Sequence, residues 1–245
     1  LGAPLSRLTD QAVWSTGLGT SFGLTITVLS FAFLLAIMTS SRTTVAGRAA
    51  SFLAIVAGSA ALALSGHASS ATPQWLMRPA VFVHVITIAA WIGSLPPLIY
   101  ALQRGGDAGR QALGRFSRLI PVCVAALTVA GLLLAAVQVR EFGALFSTAY
   151  GNVLLAKTAL LVVLLLLVAA NRWVFTKPAE RGEHGAARRL VRAIAVETMI
   201  VLAVFAVAAT WRFTPPPRAL VIAAAQPVSI HIHADKAMAE IAVTP

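Results

Sequence analysis

Residues 78–93 read Arg78-Pro79-Ala80-Val81-Phe82-Val83-His84-Val85-Ile86-Thr87-Ile88-Ala89-Ala90-Trp91-Ile92-Gly93. The stretch from Pro79 to Leu102 carries no charged residue, and a helix needs about 20 apolar residues to cross a bilayer. Its one strongly polar side chain is His84. An ionisable group set among hydrocarbon is costly, so by default it marks a functional site. Besides Pro79–Leu102, five more apolar runs are long enough to span: Gly17–Met38, Ala49–Leu64, Leu119–Val139, Val153–Phe175 and Ile194–Trp211. In lipid every backbone polar group must be paired within its own segment, so these runs are helices. The expected fold is an all-α polytopic membrane protein with about six transmembrane helices in a bundle. A chain of 245 residues that is 58% hydrophobic and only 11% charged is too apolar for an ordinary soluble domain.

The formal net charge of +11 raises nucleic acid as a partner, and the arrangement of the charges argues against it. The basic residues stand in short loops between apolar runs, where they act as orientation signals. Alternate loops hold Arg42 and Arg48; Arg104, Arg110, Arg115 and Arg118; and Arg172, Lys177, Arg181, Arg188, Arg189 and Arg192. The opposite side holds Arg7, Arg78, Arg140, Arg212, Arg218 and Lys236, half as many. The richer side is cytoplasmic under the positive-inside rule. Both ends of the chain, His67 and the start of the His84 helix then face outward, into the periplasm of a Gram-negative cell.

After Trp211 the character changes. Arg212-Phe213-Thr214-Pro215-Pro216-Pro217 stops a helix and makes a stiff connection. Val228–His233 and Ala239–Val243 alternate with period two, as strands do. The expected organisation is a membrane domain over 1–211, a Pro-rich linker over 212–227, and the start of a truncated extracytoplasmic β segment over 228–245. The first residue is Leu1, not Met, and no signal-peptide pattern opens the chain, so a fragment or a processed product is expected.

Several residues offer chemistry. His84 lies five residues into its run, about 8 Å below the outer end at 1.5 Å per residue. Ile88 and Trp91 share its face. Lys157 lies at a similar depth in the fifth run, where it either lines the same cavity or snorkels to the interface. His67, in Ser65-Gly66-His67-Ala68, precedes the His84 helix, and neutral imidazoles ligate copper, zinc or haem iron. Met77, in the same outer loop, is either a soft thioether ligand suited to Cu(I) or a loop or interfacial apolar residue. His231 and His233 fall on one face of a strand, where an H-x-H pair chelates metal or is simply solvated. Cys123, the single cysteine, reads as a packing residue. Glu197 reads as the partner of Arg172 or Arg192 in a structural ion pair. His184 reads as solvated in a charged loop. Gly93 and Gly131 permit close helix contact.

These segments, in order, resemble the CopD family, the copper resistance protein D membrane domain. The resemblance rests on Ser65-Gly66-His67-Ala68, on His84 with Ala90-Trp91-Ile92-Gly93, and on Gly114-Arg115-Phe116-Ser117-Arg118-Leu119. It continues through Ser147-Thr148-Ala149-Tyr150-Gly151-Asn152-Val153-Leu154-Leu155-Ala156-Lys157, Ala169-Ala170-Asn171-Arg172 and Glu197. The tail Ile230–Met238 is similar to the C-terminal extension of some copper-transport fusion members. The resemblance implies copper handling, as Cu(I) or Cu(II), at the bacterial inner membrane, with His67 and His84 as candidate ligands. It also implies a periplasmic CopC-like chaperone as partner. A transporter is expected ahead of two alternatives: a membrane protein holding haem b between His67 and His84, and a non-transporting anchor for the chaperone.

Overall fold

The computed structural model describes residues 9–41, 44–139, 141–183, 185–217, 228–234 and 237–243. Ten α-helices occur among them: α1 Gln11–Leu18, α2 Ser21–Thr39, α3 Val45–Ala63, α4 His67–Ser70, α5 Gln74–Arg104, α6 Gly106–Val139, α7 Ala144–Ser147, α8 Ala149–Asn171, α9 Lys177–Glu180 and α10 Ala186–Ala209. A π-helical turn, Arg172–Thr176, joins α8 to α9, and a 3-10 turn, Thr210–Phe213, closes α10. Two strands, β1 Val228–Ala234 and β2 Ala237–Val243, pair antiparallel, with His231 opposite Glu240 and His233 opposite Met238.

Six helical segments are long and apolar enough to cross a membrane: α2, α3, α5, α6, the stretch Ala149–Glu180 through the π turn, and α10. Their packing is that of a protein dissolved in lipid. On α2 the buried residues are Gly23, Thr25 and Ala32. Phe22, Phe31, Phe33, Leu34, Ile37 and Met38 are exposed. On α3 the buried residues are likewise small: Gly47, Ala54, Ser59, Ala61 and Ala63. Lipid tails are as apolar as leucine, so large side chains gain nothing by turning inward. Small residues at the contact let the helix backbones approach. Two hydroxyl pairs tie α2 to the α3 region. Thr39 Oγ1 and Ser51 Oγ lie 3.0 Å apart, and Thr25 Oγ1 donates to Ser65 Oγ at 2.9 Å.

Helix starts follow local capping chemistry. Thr20 Oγ1 accepts from Gly23 N–H and Thr44 Oγ1 from Gly47 N–H, each at 3.1 Å. Thr148 Oγ1 accepts from Gly151 N–H at 3.0 Å. The turn from α5 to α6 runs through Gly105 and Gly106, both at φ +70°, a conformation that favours glycine. Gly23 is required for a different reason. A Cβ there would lie 2.4 Å from Gly17 O and 2.5 Å from Leu18 Cα.

All six spans start at residues other than those expected. The third span starts at Gln74 rather than Pro79, and Pro79, Pro96 and Pro97 all sit inside α5. Membrane helices tolerate such prolines because neighbouring groups satisfy the freed carbonyls. The first span starts at Ser21, with α1 as a separate short helix before it.

The chain packs as two units. One comprises Leu1–Ala135 with Val168–Thr198, the other Ala136–Leu167 with Met199–Pro245. The first is centred on Met77, Trp91, Leu95, Leu98, Leu113, Ile120 and Ile194, all buried. In the second, Leu164, Val201 and Val204 are buried.

Candidate functional site

The buried face of α5 repeats every seven residues. Met77, Trp91 and Leu98 are all buried, and His84 falls in the same register between Met77 and Trp91. Seven residues are close to two helical turns, so these side chains lie along one stripe. His84 is half-buried, and its Nδ1 is buried. The ring rests against α6. A Cβ on Gly131 would stand 3.5 Å from His84 Cε1 and 3.6 Å from Nδ1. The glycine thus leaves room for an imidazole in a helix-to-helix contact, as its small size allows. Thr87 Oγ1 donates to the carbonyls of Val83 at 2.7 Å and His84 at 3.0 Å.

Because α5 begins at Gln74, His84 is about 15 Å from the helix start at 1.5 Å per residue, deeper than the 8 Å expected from a start at Pro79. Met77 is a correction of the same origin. It lies in the first turn of α5 rather than in a loop, and it is fully buried at 0% exposure. Along the axis it is about 10 Å from His84, so the two stand as successive positions on one stripe. His67 opens α4, which packs against the same α5. The side chains of His67, His231 and His233 lie outside the described residues, as do Arg7, Arg42, Arg140, His184, residues 218–227 and Lys236. Among the described residues no three His, Cys, Asp or Glu side chains group closely enough to hold a metal ion. Cys123 is buried and free.

Lys157 belongs to the second unit, whereas His84 belongs to the first. Lys157 lies about 12 Å from the start of α8. Its Nζ sits 4.7 Å from the centroid of the Trp211 ring. Trp211 stacks on Tyr150, with centroids 5.1 Å apart and an interplanar angle of 15°, and donates from Nε1 to the Tyr150 carbonyl at 3.4 Å. The ammonium therefore has an aromatic face to lie on, an arrangement worth about 0.5–2 kcal/mol depending on desolvation.

A third polar locus stands where α6, α8 and α10 supply groups to one another. Glu197 and Asn171 are both buried, and Asn171 Nδ2 donates to Glu197 Oε1. The expected ion pair is replaced by this amide contact. Arg172 instead donates to the Ser117 carbonyl, and Ser117 Oγ donates to Glu180 Oε1 at 3.0 Å. Among the described residues the ion pairs are Arg110–Asp107 and Arg181–Glu183. The available signal was the bare presence of Asn171 in an apolar span, since a polar side chain there needs a partner.

Against this geometry, comparison with known proteins gives three findings. The sequence model of the family described as copper resistance protein D, CopD, matches residues 110–211. The copper transport protein CutJ of Bacillus subtilis is 28% identical over 162 residues, which are 64% of this chain and 29% of that protein. The inner membrane protein YebZ of Escherichia coli is 31% identical over 109 residues, 43% of this chain and 37% of that protein. The chain therefore spans about a third of the length of these curated relatives. No solved structure matches it. Gly131, Lys157, Asn171, Glu197 and Trp211 all fall inside the segment that matches the copper resistance protein D family model.

Proposed function

We propose that the chain is the membrane part of a copper transport or copper-tolerance protein of the bacterial inner membrane. The observation that carries this reading is the His84 imidazole, set deep in a membrane helix against Gly131 of the segment that matches the copper family. Copper is the cargo. It enters at the α4 end of α5, where His67 is the first ligand, and Met77 and His84 offer a thioether and then an imidazole along one stripe. Soft thioether and imidazole donors suit Cu(I), and Cu(II) is served by the imidazoles. His231 and His233, on alternate positions of β1, are a further capture point outside the membrane. The Lys157 ammonium adds positive charge in the membrane and tunes or gates passage of a cation.

The lysine and arginine asymmetry supports an orientation with the α4 end of α5 and both ends of the chain outside. A periplasmic CopC-like chaperone then delivers copper to that face. Residues 1–211 form the membrane domain, 212–227 the linker, and 228–245 the start of an outer β segment. Purified protein in lipid vesicles tests the reading. Vesicles holding the full chain take up copper faster than empty vesicles, and His84→Ala vesicles do not. Uptake equal to that of empty vesicles refutes transport.

A further inference from the structure

The Asn171–Glu197 contact is chemically half complete. Asn171 Nδ2 donates to Glu197 Oε1, while Asn171 Oδ1 is buried with no hydrogen-bond partner among the described residues. Both side chains are at least nine-tenths buried, at 4% and 5% exposure. The charged groups at this end of the helices are engaged elsewhere or face outward. Arg118 donates to the Gly114 carbonyl of its own helix and Arg172 to the Ser117 carbonyl. Glu180 accepts from Ser117. Lys177, Arg188, Arg189 and Arg192 are exposed. No ion pair among the described residues includes Glu197.

An ionised carboxylate buried with one neutral amide for company is expensive, and such a group takes up a proton instead. A protonated carboxyl gains one O–H donor, and a donor is what Asn171 Oδ1 requires. A buried acceptor left unmade costs roughly 1–3 kcal/mol. We propose that Glu197 is a proton-binding site: its protonated carboxyl donates O–H to Asn171 Oδ1 while Oε1 accepts from Nδ2, closing a two-bond acid–amide pair between α8 and α10. The ligand is the proton itself. Binding converts carboxylate plus proton to carboxylic acid, and release breaks the O–H···Oδ1 bond while leaving Nδ2–H···Oε1 in place. The backbone beside the pair is unusual in the same sense. Directly after Asn171 the helix widens into a π turn, Arg172–Thr176, and Thr176 Oγ1 donates to the Asn171 carbonyl at 3.2 Å. Such π segments concentrate at functional sites. The site does not depend on the copper reading, and it gives the membrane domain a place to load and unload a proton between two spans.

Infrared spectroscopy of the full chain in lipid nanodiscs tests it without copper. At pH 7 the wild-type protein shows a carbonyl band of a protonated carboxylic acid, which moves on labelling with glutamate carrying 13C at the side-chain carboxyl carbon. The wild-type spectrum alone decides, since absence of that labelled band overturns the proposal. The band is lost in Glu197→Gln, which keeps both hydrogen bonds through its carboxamide and so stays folded. Asn171→Leu shifts the band to higher frequency as the O–H loses its acceptor. A band unchanged in Glu197→Gln, or unmoved in Asn171→Leu, also refutes the pair.

Discussion

Gly131 is the position at which packing and candidate chemistry meet, and graded substitution there separates them. An alanine Cβ would stand 3.5 Å from His84 Cε1 and 3.6 Å from Nδ1, ordinary contact distance. Gly131→Ala therefore leaves the ring where it is and adds up to about 1 kcal/mol through helix propensity. Valine differs by its two γ-carbons, each about 1.5 Å beyond Cβ. One directed at the ring would come within about 2 Å of it, well inside the 3.5–4.0 Å optimum for carbon contacts. Valine holds essentially one χ1 rotamer in a helix, so it cannot simply turn aside. The imidazole must move or the helices must part, an overpacking cost of about 1–3 kcal/mol. At about 2–4 °C per kcal/mol for a chain of this size, Gly131→Val lowers the unfolding midpoint by roughly 2–12 °C. It also reduces copper uptake toward the His84→Ala level. Thermal unfolding in detergent and vesicle uptake measure the two effects. Wild-type stability and uptake in the valine variant, or loss of both in the alanine variant, refutes the seating of His84 on Gly131.

Met77→Ala opens a cavity at a fully buried position and costs about 2–5 kcal/mol. A melting midpoint equal to wild type would show that the thioether does not pack as described. Gly23→Ala drives a methyl into the Gly17 and Leu18 backbone. It therefore destabilises the α1–α2 turn by at least the roughly 1–3 kcal/mol typical of overpacking, read as lower folded yield and midpoint. Trp211→Leu removes the aromatic face beneath Lys157 and costs about 0.5–2 kcal/mol. Lys157→Met in the Trp211→Leu background recovers part of that loss, and strictly additive effects in the double-mutant cycle contradict the contact.

The six spans were legible because hydropathy over about 20 residues reports directly on transfer into lipid. The boundaries were less so. Pro79 reads as a helix start, yet α5 begins at Gln74, because a membrane helix tolerates an internal proline where neighbouring groups satisfy the freed carbonyl. The same displacement turned Met77 from a loop residue into a buried one and set His84 deeper. Helix α6 begins at Gly106, well before the apolar run at Leu119, because hydropathy stops at the membrane surface and helical hydrogen bonding does not. His84 stood out as a lone polar group in an apolar run, and Gly131 as a small residue suited to close contact. Their meeting joins residues 47 positions apart and has no local signature. Glu197 was visible as a buried acid that needed a partner. An ion pair was the nearest expectation by charge, but only the packing of α8 against α10 shows that the partner is the Asn171 amide.

Equilibrium copper binding to the purified full chain, compared between wild type and His84→Ala with unfolding midpoints matched, decides whether His84 is a copper ligand. Wild type is expected to bind copper through nitrogen ligands in its X-ray absorption spectrum, and His84→Ala to weaken binding at least tenfold, about 1.4 kcal/mol. Unchanged copper affinity and an unchanged ligand spectrum in a folded His84→Ala protein would contradict that role.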